Sequence, residues 1–278
     1  MVLAKMENLL VSSDSGIPGL ELPGLFEFLS MFFLATLRIG AFLISAPFFG
    51  AQSIPLQVRI VSSIILGMVF FEKFQTVPLL ELDNLVIVRI IFVELLIGLT
   101  VGILLSILFA SVALAGEKIA TSGGLGFAAQ IDPTTGGQTP VISNALTLFS
   151  IVTFLSLDGH LALIRAMDAS FSVVAVGGRL DLYAASQFVA DSAGYMFELA
   201  SIMMLPVVIV LLLTNVTVGV VTRSAPTLNL FSFGFPITLL VCFLALYLAT
   251  KPLGYSMEYL VRFAIDFIVS FFGKLKNG

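Results

Sequence analysis

Long apolar runs are the feature that most constrains how this chain folds. Roughly 20 apolar residues in a helix span the hydrocarbon core of a bilayer, and most of the runs here reach or exceed that length. The sequence therefore predicts an all-α integral membrane protein built from kinked helical hairpins, with a shorter amphipathic helix over residues 257–272. The six runs cover residues 26–49, 56–71, 85–115, 141–164, 199–222 and 230–250.

Composition agrees with a membrane protein and excludes other classes. Hydrophobic residues make up 59% of the chain and charged residues 11%, whereas a soluble domain carries about a quarter charged residues. The net charge of -4 is small, and no basic stripe marks a nucleic-acid partner. The one cysteine, Cys242, lies inside an apolar run, so no disulfide framework is expected.

Several runs depart from a simple span. Residues 56–71 are short and follow Pro55, which predicts a half-span or one arm of a hairpin. Residues 85–115 are too long for a perpendicular span, so this helix must tilt or project beyond the hydrocarbon. Pro206 predicts a break in the fifth run. The polar segment 170–191 is the predicted boundary between two halves of the chain.

Arg38 and Glu94 lie in the middle of apolar stretches, where charged side chains are costly and usually functional. One interpretation is a structural ion pair between them. The other is that one of them contacts a partner subunit or a conduit. Small residues at four-residue spacing continue the helix face of Glu94 and predict close approach of another helix. These are Gly98, Gly102, Ser106 and Ala110.

A second polar face is predicted on the fifth run, where Leu211 is followed at the same spacing by three less apolar residues. Asn215, Gly219 and Arg223 share that face. We expect them to be buried packing positions on a helix that bends around a partner. A kinked span in an ordinary bundle explains the pattern equally well.

The connection over residues 122–140 is long, rich in glycine and nearly uncharged, with Asp132 as its one charged residue. Glycine gives the backbone access to conformations that other residues avoid. Irregular backbone at membrane depth is tolerated only where protein buries it or where it lines an aqueous cavity. The composition favours a re-entrant element over an exposed tip, because an exposed tip normally carries more charge.

Catalysis and metal binding find little support in the sequence. The one short motif with suitable chemistry is Asp158-Gly159-His160, and a metal or nucleophilic site needs more ligating groups than these. Neither a nucleophile elbow nor a phosphate-binding loop occurs. We expect no enzyme activity, no metal and no cofactor. An intramembrane enzyme centred on Asp158 and His160 is a rival interpretation.

Several segments, in order along nearly the whole chain, resemble the FliR family of flagellar biosynthetic proteins, whose virulence relatives are the SctT proteins of type III secretion. The matching segments are LRIGAFLISAPFFG (37–50), IPLQVRI (54–60), VELLIGLTVG (93–102), GLGFAAQIDPTTGGQTPV (124–141), FLSLDGHLALI (154–164) and LPVVIVLLLTNVTVGVVTRSAPTLNLFSFGFPITLL (205–240).

The resemblance implies a function and a domain organisation. It implies a single-copy core subunit of the flagellar type III export gate, in the bacterial inner membrane at the flagellar basal body. FliP and FliQ would form the conduit with it, FlhB would surround the entrance, and unfolded flagellar proteins would pass through. The implied domains are an N-terminal tail (1–24), a FliP-like unit (25–185) and a FliQ-like hairpin with the amphipathic helix (186–278).

The resemblance also implies that the glycine-rich loop is a plug that closes the conduit at rest. Apolar side chains on a flexible backbone can seal a pore by dewetting and still yield to a passing polypeptide. The implied plug residues are Gly123, Gly124, Leu125, Gly126, Phe127, Ala128, Ala129 and Gln130. Two alternatives to a flagellar gate are an injectisome subunit of the SctT type and a secondary transporter for a small solute.

Overall fold

The computed structural model describes residues 22–49, 54–70, 83–125, 141–225 and 233–277. Within these ranges the chain forms eight helices and no strand, which confirms the all-α prediction. The helices are α1 (Leu22–Ser45), α2 (Leu56–Phe70), α3 (Asn84–Ser122), α4 (Val141–Ser156), α5 (Gly159–Val173), α6 (Leu182–Ser224), α7 (Phe235–Leu248) and α8 (Thr250–Asn277).

Helix lengths differ widely, as the sequence predicts. Helix α3 has 39 residues and α6 has 43, so each is roughly 60 Å long, about twice the hydrocarbon thickness of a bilayer. Helix α2 has 15 residues and, at roughly 22 Å, is too short to cross it. Among the helices of the described ranges, two are long and apolar enough to cross a membrane, or up to four spans form if each bent pair counts as one.

The structure corrects the sequence-based segmentation of the fourth run. Helices α4 and α5 meet at an angle of 65°, where one helix was predicted over residues 141–164. Asp158 has a φ of 54° at this break, a conformation that aspartate tolerates better than most residues. A side chain on Gly159 would overlap the ring of Phe154. A tight turn at Asp158 and Gly159 therefore divides the run.

The other interruptions also differ from prediction. Helices α7 and α8 form a second bent pair, at 59°. The break predicted at Pro206 is wrong, because α6 continues through that residue to Ser224. Proline removes one N–H from the hydrogen-bond ladder, and the residues on both sides of Pro206 are helical in this 43-residue helix.

Residue contacts divide the chain into two compact units that interleave along the sequence. The first comprises Met1–Ser106, Ala162–Val189 and Phe267–Gly278, and the second Ile107–Leu161 and Ala190–Asp266. The boundaries near residues 24 and 185 that the resemblance implies stay predictions.

Close helix contacts occur inside each unit. In the first unit a side chain on Gly67 of α2 would lie 2.7 Å from Thr36 of α1, so glycine allows this hairpin to close. In the second unit Gly116 of α3 packs directly on the backbone of Ser143 in α4. The Ser143 hydroxyl donates to the carbonyl of Ala113 at 3.0 Å. Small residues thus position helices at short range in both units.

Candidate functional site

Helices α1 and α3 pack along the ridge of small residues predicted from the sequence. A Cβ on Gly98 would overlap the carbonyl oxygen of Arg38, and one on Gly102 would overlap the hydroxyl of Ser45. The Ser106 hydroxyl donates to the Ser45 carbonyl at 2.7 Å. The ridge ends there, since Ala110 is exposed. We call this contact the α1–α3 seam.

Arg38 and Glu94 form an ion pair at one end of the seam. Arg38 Nε donates to Glu94 Oε2 at 2.7 Å and Arg38 Nη2 donates to Glu94 Oε1 at 3.0 Å. This bidentate arrangement is the strongest geometry for a guanidinium and a carboxylate. Both side chains are 0% exposed, so each charge depends on the other for compensation.

The Arg38 guanidinium also joins α5 to the seam. Nη1 donates to the Ser170 hydroxyl at 3.2 Å and Nη2 to the Val174 carbonyl at 2.9 Å. Val174 directly follows the last residue of α5, and a cation is favourable at a helix C-terminus. The Phe171 ring lies 4.3 Å from Arg38 Cζ, within cation–π range. One side chain thus links three helices.

The sequence could not have identified the α5 partners of Arg38. Ser170 and Val174 are separated from Arg38 by 132 and 136 residues, and neither carries a charge that would suggest pairing. The available signal was the Arg38 guanidinium itself. It has more N–H groups than one carboxylate can accept, which indicates that further acceptors lie nearby.

The first residues of the predicted plug form the C-terminal cap of α3. Gly124 has a φ of 82°, which favours glycine. The N–H of Leu125 donates to the carbonyl of Ala120 at 3.0 Å, and that of Gly124 to Thr121 at 3.2 Å. These are the two bonds of a Schellman motif, with glycine at its left-handed position. We call residues 122–125 the loop root.

Helices α6 and α7 both contact the loop root. Asn215 Nδ2 of α6 donates to the Ser122 carbonyl at 3.1 Å. The Thr238 hydroxyl of α7 lies 3.4 Å from Asn215 Oδ1. A Cβ on Gly123 would lie 2.8 Å from Cys242 Sγ and 3.2 Å from Cys242 Cβ. The root is therefore held from two sides.

This geometry predicts a specific cross-link. The Gly123→Cys variant should form a disulfide with Cys242 on mild oxidation, because the two Cβ atoms would stand 3.2 Å apart, a few tenths of an ångström below the usual span of about 3.5–4.5 Å. Mass spectrometry of the digested protein would detect the linked peptides. Since Cys242 is the chain's one cysteine, the additional change Cys242→Ala is the control, and an unlinked Gly123→Cys protein would contradict the contact.

The remaining predicted site residues are the rest of the plug, which the structure does not describe, and the polar face of α6, which it does. Gly126, Phe127, Ala128, Ala129 and Gln130 lie outside the described residues. Asn215, Gly219 and Arg223 are exposed in the single chain, so their predicted role as packing positions against a partner stays a prediction. Among the described residues, a Cβ on Gly219 would meet no atom within 4 Å. Four-residue spacing identifies a common helix face but does not say what covers it.

The Asp158–His160 motif forms the turn between α4 and α5. Asp158 is exposed, and Nδ1 of His160 is buried with no hydrogen-bond partner among the described residues. Across the part of the chain that the structure describes, no group of three or more histidine, cysteine, aspartate or glutamate side chains is placed to hold a metal ion. The positive φ of Asp158 and the packing of Gly159 on Phe154 account for the first two residues of the motif.

Comparison with known proteins decides the family. Residues 29–264 match the family model described as bacterial export proteins, family 1. The flagellar biosynthetic protein FliR of Bacillus subtilis is 32% identical over 218 residues, which cover 77% of this chain and 84% of that protein. The chain belongs to the FliR family of flagellar biosynthetic proteins.

Other FliR family members match at similar levels. FliR of Pectobacterium carotovorum is 29% identical over 253 residues, covering 90% of this chain and 96% of that protein. FliR of Escherichia coli is 30% identical over 221 residues, covering 77% and 82%. The family match spans the α1–α3 seam, the Arg38 partners and the loop root. Family membership and the apolar helices together place the chain in a membrane.

Proposed function

We propose that this chain is a single-copy core subunit of the flagellar type III protein export gate. The proposal rests on one observation, the similarity to proteins named FliR over 90% of the chain. In this proposal FliP and FliQ form the conduit together with it, FlhB surrounds the entrance, and unfolded flagellar proteins are the cargo. The assembly lies in the bacterial inner membrane, at the flagellar basal body.

The exposed surface of α2 supports a role inside an assembly. This helix is too short to cross the bilayer, yet its buried residues number only three, namely Ser63, Gly67 and Phe70. Met68 and Val69 are 61% and 67% exposed. Apolar surface of this extent on an element that does not span lipid is typical of a contact with other subunits.

We also propose that the glycine-rich loop closes the conduit at rest, with Leu125 and Phe127 as the apolar obstruction. Support comes from the family resemblance and from the composition of the loop, because apolar side chains exclude water and ions whereas charged ones stay hydrated. The loop root provides a fixed starting point for such an element. In this role the protein moves polypeptides and catalyses no reaction.

Native mass spectrometry of the tagged chain, purified from its own host in mild detergent, tests the assembly. We expect one copy of the chain together with several copies each of two small helical membrane proteins. A chain that runs alone or as a dimer would contradict the proposal. That result would favour the secondary transporter, since the two bent helix pairs are also typical of transporters with interrupted spans.

Deleting residues 126–130 tests the plug and leaves the α3 cap in place. We expect the gate to assemble and the membrane to become permeable to ions, measured as a rise in resting conductance of at least about tenfold, because an unobstructed water-filled path conducts. The same deletion in a strain without FliP is the control, since no conduit would form. Unchanged conductance in an assembled gate would exclude the plug.

A further inference from the structure

We infer that Asn215 is the residue that fixes the loop root, so that residues 122–125 are an immobile base and not a moving part of the plug. The inference rests on the proposed function, because a fixed base matters for export only if the loop beyond it closes a conduit. The family resemblance assigns Gly123, Gly124 and Leu125 to the plug, whereas this inference assigns them to the base.

The last four carbonyl groups of α3 need hydrogen-bond donors from outside the regular helix. A helix leaves its final four carbonyls without partners in the helix, and an unpaired carbonyl is costly in an apolar surrounding. Three of them accept from the N–H groups of the root, at 2.9 to 3.2 Å. The acceptors are Ile119, Ala120 and Thr121, and the donors are Gly123, Leu125 and Gly124 respectively.

Asn215 supplies the fourth donor. The Ser122 carbonyl is the one that the root itself does not pair, and it accepts from Asn215 Nδ2 at 3.1 Å. This bond joins residues 93 positions apart, so it ties the end of α3 to the C-terminal part of α6. The set of four carbonyls is complete only with a side chain from another helix.

Helix α7 packs closely against the root at Gly123. Cys242 is 0% exposed and lies where any side chain at Gly123 would be. The backbone of the root therefore lies directly against α7. Thr238, one turn before Cys242, lies 3.4 Å from the Asn215 oxygen. The amide of Asn215 thus stands between α3 and α7, which limits movement of the root in both directions.

Hydrogen exchange in the purified gate complex tests the anchor independently of export. In the Asn215→Leu variant we expect the amides of Gly124 and Leu125 to exchange about tenfold faster, because the cap loses one of its hydrogen bonds. Asn215→Asp, which keeps the side-chain size but replaces the amide donor with a carboxylate, should give the same result. Thr217→Leu is the matched control, since that hydroxyl donates within α6 itself, to Leu213.

A second readout separates the anchor from the plug. If exchange at the root rises and resting ion conductance rises with it, both the anchor and the plug are supported. If exchange rises while conductance stays at the level of the unmodified gate, the anchor stands, and the plug is judged by the deletion of residues 126–130 alone. If exchange at Gly124 and Leu125 is unchanged in both Asn215 variants, the anchor is wrong, whatever the conductance.

Discussion

Replacing Arg38 with methionine is expected to lower the free energy of unfolding by about 3–5 kcal/mol, the range for removing one partner of a buried ion pair. The variant leaves the Glu94 carboxylate without its cation at a site that is 0% exposed. It also removes the donors to Ser170 and Val174. Titration of the isolated chain with a denaturing detergent in mixed micelles would measure the loss.

The double change Arg38→Met with Glu94→Leu should be milder than the sum of the two single changes, because no buried charge then remains unpaired. Arg262→Met is a matched control, since its ion pair with Glu258 is exposed, at 68% and 42% for the two side chains. Such pairs contribute at most about 1 kcal/mol. Additive losses in the double variant would mean that the buried pair is not coupled.

The second large effect is expected from Gly98→Ala, which adds one methyl group to the α1–α3 seam. The new Cβ would overlap the Arg38 carbonyl and stand 2.8 Å from the Cβ of Ala41. Backbone atoms of α1 must move to admit it. We expect a loss of about 1–3 kcal/mol in the free energy of unfolding, typical of overpacking, measured by the same titration.

Gly219→Ala is the matched control for this prediction, because both glycines carry the same four-residue pattern in the sequence. Nothing lies within 4 Å of a Cβ at Gly219, so the isolated chain should gain up to about 1 kcal/mol from the better helix propensity of alanine. Equal effects of the two substitutions would show that the seam does not depend on close approach of the helices.

The sequence predicted the parts of the candidate site that have a local signature. Gly98 and Gly102 follow Glu94 at helical spacing, and that spacing was enough to predict close packing on one face. No pattern within α3 identifies the partner helix, and the one indication that it is α1 was the interpretation of Arg38 and Glu94 as an ion pair, which the structure contains. The same limit applies to Asn215, because the spacing of its helix face does not say which element, if any in the single chain, covers it.

The breaks and ends of the helices were predicted less well. A hydropathy average over a window of about 20 residues does not register a short turn inside an apolar run, so the division at Asp158–Gly159 was missed although glycine follows a residue that tolerates positive φ. The first half of α6 was missed for the opposite reason. Its residues are too polar for an apolar run, but buried positions such as Ala185, Phe188 and Ser192 recur at helical spacing.

The Arg38 contacts also have a consequence for how the chain enters the membrane during synthesis. Glu94 follows Arg38 by 56 residues, so at about 5–20 residues per second the arginine precedes its counter-charge by about 3–11 s. Throughout that interval α1 carries a cation that disfavours insertion into lipid. Stable insertion of α1 therefore depends on the later arrival of α3.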